Sequence, residues 1–244
     1  MMTTHSKGTA LVFGGSRGIG AAIARRLARE GYDVALTYVS RPDDAATVAA
    51  AIEAAGRRAL AVRADSADAA ALQDAVAQVV GQFGQLDLAV INAGVLRLGP
   101  LDTFSLADLD QTLAVNVRGV FVALQAAAAR MKDGGRLVTI GSNTAIRTGS
   151  PGSSAYAMSK AAVAALVKGT ALDLAPRRIT VNNVQPGPTE TDMTSALREH
   201  VVPRVPLGRL AEPEEIAGLV AYLASAEAGF VTGASLTIDG GFVL

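Results

Sequence analysis

The chain has 244 residues, 50% of them hydrophobic and 18% charged, with 22 basic and 22 acidic side chains for a formal net charge of zero. That is enough apolar material for one medium domain, 1–244, with a sizeable core, and the balanced charge offers no basic face for a nucleic acid or a membrane surface. There are no cysteines and only two histidines, His5 and His200, so disulfides, thiolate or multi-histidine metal centres and a Ser/His/Asp triad have almost nothing to be built from.

The longest stretch free of charged residues is 12 positions, at 75–86 and again at 148–159, against about 20 apolar residues for a membrane-spanning helix. The first apolar run is shorter than the core of a signal peptide. A cytoplasmic protein with no membrane partner is expected. Aromatic content is only 4%, which leaves no stacking platform for single-stranded nucleic acid.

Short apolar runs recur at residues 9–13, 34–39, 59–63, 86–91, 137–140, 179–184 and 234–238, each of strand length. Between them lie Ala-rich stretches with helical spacing, such as Ala21, Ala22, Ile23, Ala24, Leu27 and Ala28. Near-continuous apolar strands alternating with helices are what a parallel sheet covered on both faces requires. The pattern predicts an α/β Rossmann-type fold, a doubly wound seven-stranded parallel sheet. One region, 186–213, is interrupted by five prolines, and its central part, about 188–212, is a candidate lid beyond the carboxyl ends of the strands.

The first strand leads into Phe13-Gly14-Gly15-Ser16-Arg17-Gly18-Ile19-Gly20 and then directly into a helical pattern. Glycines allow the tight turn and a close approach of diphosphate to backbone, and a helix N-terminus supplies free N–H donors. The second strand ends Leu36-Thr37-Tyr38-Val39-Ser40-Arg41, with no carboxylate at the position that would hold ribose hydroxyls. Arg17 and Arg41 are instead suited to a 2′-phosphate, which favours NADP(H) over NAD(H).

Tyr156-Ala157-Met158-Ser159-Lys160 falls in a helical pattern running from about 154 to 175, where positions i and i+4 share a face. An ammonium beside a phenol is expected to lower the Tyr156 pKa toward the range of a general acid/base. The fifth strand ends in Gly141-Ser142, placing a hydroxyl at the carboxyl edge of the sheet, and the fourth ends in Asn92-Ala93-Gly94. Asn116 lies inside a helical segment, which is unfavourable unless its amide serves a kink, a backbone group or a water.

In order, Gly14/Gly18/Gly20, Asp65, Asn92-Ala93-Gly94, Asn116, Ser142, Tyr156/Lys160 and Pro186-Gly187 closely resemble the short-chain dehydrogenase/reductase pattern. The resemblance implies that Tyr156 donates or accepts the proton and that Ser142 orients the carbonyl or alcohol. It implies that Lys160 lowers the Tyr156 pKa and binds the nicotinamide ribose, while Asn116 holds a water of a proton relay. Asp65, with Ser66 beside it, would meet the adenine, and Thr191 the nicotinamide carboxamide. The implied cofactor contacts also include Ser16, Ile19, Tyr38, Ser40 and Thr189.

The C-terminal half, from Pro186-Gly187-Pro188-Thr189-Glu190-Thr191 to Asp239-Gly240-Gly241, looks most like the 3-oxoacyl-acyl-carrier-protein reductase branch. The resemblance then implies a homotetramer acting on a small-molecule carbonyl or alcohol. A carrier protein would need a concentrated basic surface, for which Arg130, Arg177 and Arg178 are the candidates. Two departures from the family pattern are Phe13 for its Thr and Ile91 for its first Asn, expected to replace a polar brace with an apolar contact. They also keep open a non-catalytic nucleotide-binding protein on the same scaffold. Met131, Met158 and Met193 read as gap fillers or lid contacts, and His200 as a solvent-exposed residue near the lid.

Overall fold

The computed structural model describes residues 6–244, so His5 lies outside the described residues. Seven strands, β1 (Gly8–Phe13), β2 (Tyr32–Tyr38), β3 (Ala59–Arg63), β4 (Leu88–Ile91), β5 (Arg136–Ile140), β6 (Thr180–Pro186) and β7 (Ser235–Ile238), form one sheet. All pairings are parallel, in the spatial order β3-β2-β1-β4-β5-β6-β7. The order reverses between β1 and β4, which opens a crevice at their carboxyl ends.

Side chains alternate across each strand and so feed two separate cores. Ala10 and Val12 of β1 face one side, beneath α1 (Gly18–Arg29), α2 (Pro42–Ala54) and α8 (Pro213–Leu223). Leu11 and Phe13 face the other, beneath α3 (Ala69–Phe83), α5 (Val120–Arg130) and α6 (Ser154–Leu174). Phe13, Leu11, Ile23 and Leu36 are fully buried, each contributing about 2 kcal/mol of apolar burial. Helix ends are locally specified: the Asp68 carboxylate accepts from Ala70 and Ala71 to start α3, and Gly84 (φ 86°) ends it.

Two strands extend two residues beyond their apolar runs. β2 begins at Tyr32 because Asp33, a charge inside a strand, is buried and paired: it accepts from the Arg58 backbone N–H at 3.0 Å and from Arg58 Nε at 2.9 Å. β6 continues to Pro186 because its buried polar residues are satisfied sideways. Asn182 bonds Val231 and Ala234, and Asn183 accepts from Thr139 and donates to Ser235.

The stretch after β4 is a single helical run from Leu106 to Arg130, comprising α4 (Leu106–Leu113), a π-helical segment (Ala114–Gly119) and α5. By length and composition it is the one helix among the described residues that could cross a membrane, and half of its apolar window is buried in this fold. The π segment carries Gly119 against β3's exit loop: a Cβ there would stand 2.2 Å from the Ser66 carbonyl oxygen. The proline-rich region is folded rather than open. It forms two 3-10 turns (Ser195–Leu197, Val202–Arg204) flanking α7 (Arg198–Val201), closed at its base by a bridge between Thr189 and Ala211.

Candidate active site

The glycine loop is held from below by side chains of neighbouring strands. Gly14 N–H donates to Thr37 Oγ1 (2.9 Å), Gly15 N–H to the Thr37 carbonyl (3.0 Å), and Asn92 Nδ2 to the Gly14 carbonyl (2.8 Å). A Cβ on Gly20 would lie 2.1 Å from the Gly14 carbonyl oxygen, so only glycine lets α1 start this close to the loop. No side chain caps α1, which leaves its first N–H groups available beside a backbone free of Cβ atoms. Donors and room of this kind fit a dinucleotide diphosphate.

A cleft of about 570 Å³ lies beyond the carboxyl ends of β1, β4, β5 and β6. At one end it is lined by Gly14, Ser16, Arg17, Gly18 and Ile19 from the loop, Ser40 and Arg41 after β2, and Asp65 and Ser66 after β3. Asn92, Ala93 and Gly94 form its floor, and Pro186, Gly187, Thr189 and Thr191 its far wall. Two expected contacts are not on the cleft. Gly20 sits under the loop, and Tyr38 packs against the core on the α1/α2 side. Arg17 Nη1 and Arg41 Nη1 both reach one oxygen of Asp192, at 3.2 and 3.4 Å.

Ser142, Tyr156 and Lys160 line the opposite end together. Lys160 Nζ is buried and donates to the Ile140 carbonyl at 3.1 Å, at the end of β5. Its ammonium lies 5.6 Å from the centre of the Tyr156 ring. Burial draws the Lys160 pKa down to about 8. Burial also pushes the Tyr156 phenol up to about 12, with a hydrogen bond to Ser142 pulling weakly the other way. The net direction is opposite to the lowering expected for Tyr156, because loss of hydration is its largest cause. The phenol is therefore fully protonated at neutral pH.

Asn116 does not line the cleft. It is fully buried one layer behind, where its Oδ1 accepts from Val95 N–H and its Nδ2 donates to the Val95 carbonyl, both at 2.9 Å. The same Nδ2 reaches Ser159 Oγ at 3.2 Å, and Ser159 in turn donates to the Tyr156 carbonyl at 2.7 Å. The Asn116 side chain is thus a brace that ties the floor strand's exit to the Tyr156 helix. The π segment is the kink this asparagine occupies, and such bulges recur where a helix is shaped for function.

Ser159 was not singled out by sequence, although it lies between Tyr156 and Lys160. Also missed were the apolar residues Leu98, Met193, Leu197, Val201, Leu210 and Phe242, which line the cleft beyond Tyr156 and come from three separate segments. Nothing but apolarity marks them, and apolarity alone predicts core. Phe13 and Ile91, the two departures, face each other in the β1–β4 register and are both buried in the same core, an apolar contact in place of a polar one. Met131 is buried and Met193 lines the cleft, but Met158 is exposed on α6, neither gap filler nor lid contact. His200 is exposed on α7.

Residues 14–243 match the family model described as enoyl-(acyl carrier protein) reductase. The cyclic-di-GMP-binding biofilm dispersal mediator protein of Escherichia coli K12 is 43% identical over 237 residues, 96% of each chain. A Staphylococcus aureus 3-oxoacyl-[acyl-carrier-protein] reductase is 38% identical over 242 residues, 97% of this chain and 98% of that one. Among solved structures, a short-chain dehydrogenase/reductase from Serratia marcescens superposes with a TM-score of 0.96 at 55% identity, covering 98% and 99% of the two chains. A short-chain dehydrogenase from Burkholderia cenocepacia in complex with NADP does so at 0.96 with 49% identity and the same coverage.

Proposed function

Because the chain belongs to the short-chain dehydrogenase/reductase family, close to the 3-oxoacyl-acyl-carrier-protein reductase branch, we propose that it is an NADP(H)-dependent reductase of carbonyl compounds, or dehydrogenase of the corresponding secondary alcohols. The bound cofactor would supply or accept the hydride. The observation that carries the reading is that Ser142, Tyr156 and Lys160 share one end of a cleft whose other end is the uncapped start of α1 with Arg17 and Arg41.

In reduction, the Ser142 hydroxyl and the Tyr156 phenol both reach the carbonyl oxygen, orienting it and polarising it. Tyr156, neutral at pH 7, gives its proton to that oxygen as charge develops there. Lys160, anchored on Ile140, would hold the nicotinamide ribose and stabilise the phenolate left behind. Asn116 acts by fixing Val95 and Ser159, a positioning role. Arg17 and Arg41 would pair with the 2′-phosphate, and Asp65 would meet the adenine ring. Tyr156→Phe is expected to abolish reduction of simple ketones while NADPH titration still shows binding. Near-normal turnover in that variant would refute the assignment.

Reduction of carrier-bound 3-oxoacyl thioesters is the narrower alternative, supported by the Staphylococcus relative. Against it, Arg177 is occupied by Asp133 and by the carbonyls of Ala128 and Met131, so it is not available to an acidic carrier. A non-catalytic nucleotide sensor is the second reading, favoured by the similarity to a cyclic-di-GMP-binding protein. Competition between cyclic-di-GMP and NADPH for the purified protein separates the two. Exposed Leu101, Leu106, Phe121 and Leu172 on the α4–α6 side and Phe230 beside β7 support self-association, as a homotetramer in this reading, to be checked by sedimentation.

A further inference from the structure

The far end of the cleft carries information about the substrate that no motif encodes. Five charged side chains line the cleft among the described residues: Arg17, Arg41, Asp65, Asp192 and Lys160. The first four gather at the glycine-loop end, and Lys160 lies behind Tyr156, bonded to the Ile140 carbonyl. Beyond Tyr156 the apolar wall residues are Leu98, Met193, Leu197, Val201, Leu210 and Phe242, and the cleft lining also includes the uncharged polar residues Gln111, Asn143, Thr144, Ser150 and Ser153. Leu98 is 49% exposed and Met193 43%, so large apolar surface faces open space there. A carboxylate or phosphate moved into such a place loses water and meets no cationic side chain on the walls themselves. An aliphatic or aryl group gains roughly 25 cal/mol for each Å² it covers.

The outer limit of this space is built as well. Phe242 stands on a C-terminal turn organised by Asp239, whose two carboxylate oxygens accept from Gly241 N–H (3.0 Å) and Val243 N–H (3.1 Å). Asn143, the residue after Ser142, donates to the same carboxylate at 3.2 Å and ties the turn to the catalytic strand end. The Arg204 guanidinium lies 4.9 Å from the centre of the Phe242 ring and donates to the Gly149 carbonyl (2.6 Å) and Ser150 Oγ (3.1 Å). Arg204 thereby joins the lid, the loop before α6 and the C-terminal turn at the mouth, its donors engaged by neutral protein oxygens and its face by the Phe242 ring.

Resting on the oxidoreductase reading above, we infer that this end is a subsite for an uncharged apolar substituent on the carbonyl carbon, and that Phe242, positioned by Arg204, sets the size it accepts. The preferred substrates are neutral alkyl or aryl ketones and aldehydes, not 2-oxo acids or sugar phosphates.

The test compares kcat/KM of the purified enzyme with NADPH for acetone, acetophenone, 2-acetylnaphthalene and pyruvate, alongside Phe242→Ala, Phe242→Leu and Arg204→Lys. The wild type is expected to favour acetophenone over pyruvate by at least about a hundredfold, the loss expected for an unpaired charge. Phe242→Ala is expected to raise the 2-acetylnaphthalene to acetone ratio about tenfold. Phe242→Leu, which keeps the turn apolar, is expected to raise it less, and Arg204→Lys, which acts only through Phe242, to raise it less and through KM. Preference for pyruvate, or a size ratio unchanged in all three variants, would overturn the inference while leaving the oxidoreductase assignment standing. NADPH binding with no turnover of any carbonyl would overturn both.

Discussion

Arg17 and Asp192 are 175 residues apart in sequence, yet the guanidinium of one lies 3.2 Å from the carboxylate of the other, at the cleft end where Arg41 also converges. The carboxylate stands between the two cations proposed to receive the 2′-phosphate, and it belongs to the lid. An incoming phosphate must compete with it for the same donors. Asp192→Asn is therefore expected to tighten NADPH binding about three- to tenfold and to leave NADH nearly unchanged, because both pairs are exposed and individually weak. Fluorescence titration measures both constants, and the difference should shrink in 0.5 M salt, where the Debye length is only about 4 Å. Equal effects on the two cofactors would mean that the arginines do not read the 2′-phosphate.

The two buried titrating groups give a pH dependence with a definite sign. Burial lowers Lys160 to about 8 and raises Tyr156 to about 12. The ammonium is present below pH 8 and lost as pH rises through it, while the phenol keeps its proton until far higher. If the ammonium stabilises the phenolate left after proton donation, kcat/KM for ketone reduction is flat below about pH 8 and falls about tenfold per unit above it. A profile flat to pH 10 would show that the charge of Lys160 has no part in the step.

These predictions separate what the sequence carries from what only the fold supplies. The seven strands are legible because both faces of the sheet are buried, so each strand is an apolar run, and the glycine spacing and the Tyr156/Lys160 pair survive as local patterns. Asp33 hides the start of β2, since a buried charge becomes acceptable only when Arg58, 25 residues on, arrives beside it. The polar run Asn182, Asn183 and Gln185 is acceptable in β6 for the same reason, its partners lying on neighbouring strands and on the segment after α8. Adjacency of Tyr156 and Lys160 is visible along a helix, but the depth that reverses the expected pKa shift is not. The substrate wall is illegible because Leu98, the lid and Phe242 meet only after the sheet has closed.

Asp33 itself allows a measurement of stability. Its carboxylate is buried between β1 and β3 and accepts from both the backbone and the guanidinium of Arg58. Burial alone would raise its pKa, but the two hydrogen bonds and the charge of Arg58 outweigh it, and the net shift is downward. A carboxyl whose folded pKa lies below its unfolded value stabilises the fold above the unfolded pKa, and this stabilisation is lost as pH falls through the folded one. Asp33→Asn keeps the shape and loses the charge. It is expected to cost about 1–2 kcal/mol at pH 7, toward the low end for a charged hydrogen bond because Arg58 is exposed to water. Urea unfolding of the two proteins at pH 7 and near pH 3 measures this difference, which should shrink at the lower pH as the carboxylate of the unfolded wild-type chain takes up its proton. A gap of equal size at both pH values would assign the stabilisation to packing and not to the ion pair.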